Sequence, residues 1–72
     1  MLTEKPNIGD KLIYQQGIHY APPRPFTVIE PPNSSKTPFS DRIIGMLFED
    51  GTTDIIIWIS GDGVINPLLR KA

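Results

Sequence analysis

The dipeptide Asp50-Gly51 constrains the fold of this chain more than any other feature of its sequence. Asp-Gly between two strand-like runs is a strong signal for a β-hairpin, because both residue types tolerate the positive φ angles of a tight turn. The flanking runs lie within Arg42 to Ser60 and are rich in isoleucine, with one phenylalanine and the only tryptophan. The sequence therefore predicts a small β fold built around this hairpin.

Both predicted strands of the hairpin are apolar on both faces, whereas a sheet with one side in water alternates. Two registers are open. A two-residue loop places Trp58 on the same face as three apolar side chains, Ile43, Leu47 and Ile56. A three-residue loop with a bulge at Gly51 shifts the pairing by one residue and exchanges the faces of the second strand. In either register one apolar face can line the core, and the other needs a cover: a bent sheet, the chain ends, a second copy or a partner.

The composition narrows the classes of protein that are possible. A length of 72 residues predicts a single domain over 1–72. With no cysteine and one histidine, disulfides and the usual zinc sites are excluded, and we predict no cofactor. The net charge is −1 and the seven Lys and Arg residues are scattered, which disfavours general binding to nucleic-acid phosphates. No segment has the length of a signal peptide or a membrane span, so a soluble, cytoplasmic chain is expected.

Two further strands and two loops are predicted before the hairpin. Residues 11–15 and 26–30 combine alternation with β-forming residues and predict strands one and two. Residues 16–25 contain three prolines in four positions, and residues 31–40 are rich in Pro, Ser, Asn and Thr, so both segments predict loops.

The C-terminal end of the sequence predicts a short helical turn. Asn66 is a good helix cap and Pro67 suits the first helical position, so 68–70 is expected to form one turn that plugs a barrel with Leu68 or Leu69. The predicted fold class is therefore all-β: a small, strongly bent antiparallel barrel of four to five strands with a short C-terminal helical turn.

This pattern resembles the Src-homology-3-like and Tudor-like small barrels. The resemblance rests on four segments, an entry strand, the hairpin, the end of the last long strand and the final turn, namely residues 8–12, 46–52, 57–59 and 66–67. What the resemblance implies is a binding surface and no chemistry. In Tudor-like members an aromatic cage receives a methylated Lys or Arg by cation–π attraction. Phe48 and Asp50 match the hairpin aromatic and its nearby acid, with Tyr14 and Tyr20 as possible cage walls.

Six residues are predicted to bind a partner: Trp58, Ile43, Leu47, Ile56, Tyr20 and Arg24. Tryptophan is a frequent anchor of protein interfaces, and it would be surrounded by the three aliphatic residues in one hairpin register. The alternative is that Trp58 fills the core. Arg24 lies in the Pro-rich run 21–25, which can form a polyproline-type ridge that other domains recognise.

No set of catalytic residues is visible, so we predict that the chain is not an enzyme. Glu49, Asp50 and Asp54 cluster near the hairpin tip, where acids favour the turn and deter aggregation. His19 has no carboxylate or nucleophile at a motif spacing, and Asp62 lacks the further acids of a calcium loop, so no metal site is predicted.

The sequence thus favours a non-enzymatic protein-binding module, an adaptor or inhibitor that docks on and modulates a larger protein complex. A chain of this size that starts with Met and ends after its last turn is expected of a small bacterial or phage accessory protein. One alternative is a nucleic-acid-binding barrel, in which basic side chains converge beside two tyrosines: Lys11, Arg24, Lys36 and Arg42 with Tyr14 and Tyr20. The other is a homo-oligomer with a site formed across subunits. Membrane binding is not expected.

Overall fold

The computed structural model describes residues 2–15, 22–31 and 40–72. These residues form one antiparallel sheet and a short 3₁₀ turn, Ser40–Arg42, and they include no α-helix. The predicted all-β, antiparallel class is confirmed. The strands are β1 (Lys11–Tyr14), β2 (Arg24–Ile29), β3 (Ile43–Phe48), β4 (Thr53–Ile57) and β5 (Leu69–Lys71).

The sheet is open, so the predicted closed barrel is wrong. Its strands follow the order β4-β3-β2-β1-β5, and the last strand in the chain returns to pair with the first. Closure would require β4 and β5, the two ends of this order, to pair with each other. In the described residues these two strands are not neighbours, so each is an edge of the sheet.

The hairpin adopts the three-residue register. The Gly51 N–H donates to the Phe48 carbonyl over 3.0 Å, and the Phe48 N–H donates to the Thr52 carbonyl over 2.9 Å. Gly51 has a φ of 88°, which is the left-handed conformation of a glycine bulge. As a result Leu47 faces Thr53 and Ile43 faces Ile57 across the two strands. A similar loop recurs at 60–64, where Gly63 has a φ of 87°.

The C-terminal segment forms a β-turn and a strand, so the predicted helical turn is wrong. Asn66 does accept a hydrogen bond from the Leu68 N–H through its side chain, as a cap would, over 2.9 Å. The Leu69 N–H then bonds to the Asn66 carbonyl over 3.2 Å and the chain joins β1. A helix this short has a costly nucleus, whereas the free edge of β1 offers ladder partners at once. Leu69 is completely buried, as the sequence predicted for one of the two leucines.

Strand β2 starts at Arg24, inside the segment predicted as a loop, and Pro25 lies opposite Ile13. β3 ends at Phe48, opposite Phe26, so β1 is the only strand that lies beside Pro25. The N–H that proline lacks would have no ladder partner in β3, and its absence therefore costs the sheet little stability.

The core lies on one face of the sheet. Alternate strand residues point into it, and the segment before β1 and the end of β4 add one residue each. Its buried members are Leu2, Leu12, Phe26, Val28, Ile44, Met46, Phe48, Trp58 and Leu69. Phe26 and Phe48 meet edge to face with ring centroids 6.0 Å apart.

Candidate functional site

The opposite face of the hairpin is apolar and open. The register pairs Ile29 with Gly45, Gly45 with Ile55, and Ile43 with Ile57, so these side chains share the face turned away from the core. Leu47 lies on the same face beside Thr27 and Thr53. We call this set the outer patch: Ile29, Ile43, Leu47, Ile55 and Ile57.

Exposure identifies the part of the outer patch that is accessible. Ile55 and Ile57 are 50% and 55% exposed and Leu47 is 37% exposed, whereas Ile29 and Ile43 are half-buried. Large aliphatic side chains adjacent on one sheet face are worth explaining, since isolated exposed residues are common but contiguous ones mark interaction sites. The prediction that the hairpin has two apolar faces is thus in agreement with the structure.

The structure divides the predicted binding residues between the two faces. Ile43 and Leu47 belong to the outer patch, but Trp58 is buried in the core and Ile56 packs against it. The Trp58 indole N–H donates to the Asp41 carbonyl over 2.7 Å. The expected grouping of all four residues is therefore not formed, because it required the two-residue loop.

The sequence reasoning did not select Ile55 and Ile57, although the alternative register pointed to them. With a bulge at Gly51 the odd-numbered residues of β4 join Ile43 and Leu47. Asp-Gly is compatible with both loops, so the local sequence does not choose between them.

Arg24 lies against the hairpin aromatic. Its guanidinium carbon is 3.9 Å from the centroid of the Phe48 ring, and Phe48 is 7% exposed. Phe48 was predicted as the aromatic of a cage for a methylated cation, and in the structure the Arg24 side chain contacts its ring. Tyr20, the remaining predicted binding residue, lies outside the described residues, and Tyr14 is half-buried against the core.

Asp50 is held in the hairpin loop by Thr52. The Thr52 hydroxyl and the Thr52 N–H donate to Asp50 Oδ1 over 2.6 and 3.0 Å. The hydroxyl bond, followed by the backbone bond and the charge of Arg24, holds the pKa of Asp50 below its ordinary value of 3.8. The pKa of Asp62 is lowered in the same way, first by the hydrogen bond from the Ser60 hydroxyl. Both acids are thus used to fix turns.

Thr52→Val is expected to raise the pKa of Asp50 towards 3.8, since it removes the largest cause of the shift. A pKa that is lower in the folded state contributes stability above the unfolded pKa, and that contribution is lost as the pH falls through the folded pKa. Thr52→Val should therefore flatten the acid side of the stability curve. Carbon-13 NMR titration of the Asp50 carboxyl group measures the shift, and Thr53→Val is the control. An unchanged midpoint in Thr52→Val would contradict the assignment.

The described residues contain no cluster of three or more His, Cys, Asp or Glu side chains that could hold a metal ion. A cleft of about 270 Å³ lies between the N-terminal segment, β1 and the end of the chain. Leu2, Pro6 and Leu12 contribute apolar surface, while lysines and acids, including Lys71 and Glu4, both line it. With both signs of charge present, the cleft does not select an anion or a cation.

The basic residues of the nucleic-acid alternative are held in separate places. Lys11 donates to Thr27 Oγ1 over 2.7 Å, Arg24 lies on the Phe48 ring, and Arg42 lies near Gly61. Lys36 and Tyr20 are outside the described residues. None of the aromatic side chains in the described ranges belongs to the outer patch, so that face has no base-stacking platform there.

No protein-family model, curated protein or solved structure matches this chain. Over the described residues there is no helix with the length and apolar character needed to cross a membrane.

Proposed function

We propose that this chain is a non-enzymatic protein-binding module that docks on a larger protein through the outer patch. The observation that supports the proposal is the exposure of Ile55 and Ile57 beside Leu47 on the hairpin face turned away from the core. The docking role follows the expectation from sequence, but the surface is centred on β4 and Trp58 supports it from inside the fold. As an adaptor or inhibitor, the module would modulate the complex that it joins.

The outer patch is small, so we expect the partner to contribute contacts beyond it. Burying the exposed fractions of Leu47, Ile55 and Ile57 of one chain is worth about 2–4 kcal/mol, taking about 1.5–3 kcal/mol for each fully buried side chain. Two copies that met through the patch would bury it twice, for about 4–8 kcal/mol. Association costs roughly 4–15 kcal/mol in lost motional freedom, so a dimer held by the patch alone would be weak. A partner that surrounds the hairpin can add contacts beyond the patch and exceed this cost.

The chemistry of the patch also favours a protein. Its members are aliphatic, whereas recognition of nucleic acid relies on phosphate contacts and stacking aromatics. The nearest basic side chain in the strand pairing is Lys11, which bonds to Thr27 beside Leu47. Such a surface fits an apolar groove on another protein, with polar contacts at its rim.

Ile57→Ser is expected to weaken partner binding by at least about tenfold, as the loss of a central apolar contact does. The chain offers a matched control in Val64→Ser, because Val64 is exposed to 59%, close to the 55% of Ile57, but is not in the patch. A nuclease-treated pull-down from host lysate would supply the partner, and the three purified chains would then be titrated against it by calorimetry. Both substitutions are at the surface and should change stability little.

Three results would contradict the proposal. Equal affinities of the wild type and Ile57→Ser would show that the patch is not the interface. Recovery of nucleic acid, with binding that weakens steeply as salt rises, would favour the basic-barrel alternative. An apparent mass that rises with concentration in a solution of the purified wild type, with no partner added, would favour self-association.

A further inference from the structure

β4 is an edge strand, and side chains occupy two of its outward-facing backbone groups. In the described residues the sheet order ends at β4, with no strand beyond it. The Trp58 N–H bonds to the Arg42 carbonyl, so the even-numbered residues of this stretch point their backbone groups towards β3. Alternation then turns the N–H and C=O groups of Thr53, Ile55 and Ile57 outwards.

Two side chains bond to these outward groups. The Ile55 N–H donates to Asp54 Oδ1 over 2.8 Å, and the Asn66 side-chain amide donates to the Ile57 carbonyl over 2.9 Å. Asp54 accepts from the next residue of its own strand, and the turn that leads into β5 places Asn66 beside Ile57. We call these two contacts the edge caps.

The edge without its caps would be self-complementary. In an antiparallel pairing of two copies about a two-fold axis at Ile55, that residue faces its own copy and Thr53 faces Ile57. This register brings the exposed side chains of Ile55 and Ile57 together on one face. Its ladder needs the Ile55 N–H and the Ile57 carbonyl, which are the two groups that the caps occupy. It also brings the two Asp54 carboxylates near each other, one on each copy.

We propose that Asp54 and Asn66 are negative determinants of self-association, which block the β4 edge against a second copy of this chain. Unpaired edges with exposed aliphatic side chains are templates for aggregation, and inward or edge-directed polar groups are a common protection. The blocked surface is the edge of β4 and the blocked partner is the chain itself. The outer patch remains open to a different protein, since a face contact leaves both caps in place.

The test is the oligomeric state of the Asp54→Ala/Asn66→Ser variant, measured by light scattering after size exclusion over a range of concentrations. Serine retains an oxygen that can accept from the Leu68 N–H, so the turn before β5 is kept while the amide that reaches Ile57 is lost. The apparent mass should rise at least about twofold with concentration. The wild type and Asp62→Ala, which removes one exposed acid away from the edge, should remain monomers. Circular dichroism would check that each variant is folded.

Adding Thr53→Pro to that variant distinguishes edge pairing from face contact. Thr53 is the first residue of β4, where proline is tolerated on an edge, and the substitution removes an outward N–H. It should restore the monomer. Amide hydrogen exchange gives an independent reading, since Thr53 and Ile57 should become protected in the associated form. The proposal is overturned if the double variant stays monomeric, if it associates without protection at these amides, or if the wild type associates as readily.

Discussion

Trp58→Ala is expected to destabilise the fold by about 3–5 kcal/mol, the usual cost of removing a large aromatic side chain from a core. Trp58 is 8% exposed, and it packs with residues from four strands and the N-terminal segment in a single core. A domain of 72 residues has a total stability on the order of 4–10 kcal/mol. The variant should therefore be largely unfolded at moderate temperature, and urea denaturation followed by circular dichroism would show it.

Trp58→Phe separates packing from hydrogen bonding. It keeps most of the ring volume but loses the N–H that bonds to the Asp41 carbonyl, so a smaller loss of about 1–2 kcal/mol is expected. The sequence left two roles open for Trp58, an anchor for a partner or a core residue, and the structure buries it in the core. If Trp58→Ala folds with an unchanged urea midpoint, the tryptophan is not a core residue of the folded chain and the structural interpretation is wrong.

Gly45→Ala is expected to cost about 3 kcal/mol, at the upper end of the range for overpacking, because β2 passes close over this glycine. A Cβ at Gly45 would lie 2.7 Å from the Ile29 carbonyl oxygen, 2.9 Å from Ile29 Cγ1 and 3.0 Å from the Glu30 carbonyl oxygen. Two of these atoms belong to the backbone, so relief would require β2 and β3 to separate. Thermal unfolding should show a large fall in melting temperature, and Gly45→Val should prevent folding.

Gly61→Ala is the matched control for that substitution. Its added Cβ would meet only the end of the Arg42 side chain, at 3.0 Å, and that side chain can move. A change within about 1 kcal/mol is expected. Equal destabilisation by the two glycine substitutions would show that the effect comes from chain flexibility, whereas the structure attributes it to the contact between β2 and β3.

The cost at Gly45 also bears on the outer patch. The Ile29 side chain lies close to this glycine, on the same face of the sheet as Ile55. A side chain at position 45 would stand in the middle of the patch and interrupt it. Binding measurements on Gly45 variants would therefore mix two effects, and Ile57→Ser is the cleaner test of the proposed function.

Local sequence determined the elements whose causes are local. Asp50-Gly51 produced a hairpin, and the alternation in β1 and β2 produced strands that bury Leu12, Phe26 and Val28. Such features depend on turn geometry and on the two-residue period of a strand, which a short window of sequence contains. The absence of cysteine and the small size likewise follow from composition alone.

Tertiary structure decided the features that depend on distant partners. The loop at Gly51 is compatible with two registers of the hairpin. Packing of the core selected the register that buries Met46 and Trp58 on one face and leaves Ile55 and Ile57 exposed on the other. Asn66 and Pro67 fit a helix start, but the free edge of β1, more than fifty residues earlier, offered hydrogen bonds that drew the chain into β5. A one-residue shift of register reverses every side chain of a strand, and no local preference fixes that choice. The position of the open apolar surface was therefore settled only when the strands packed together.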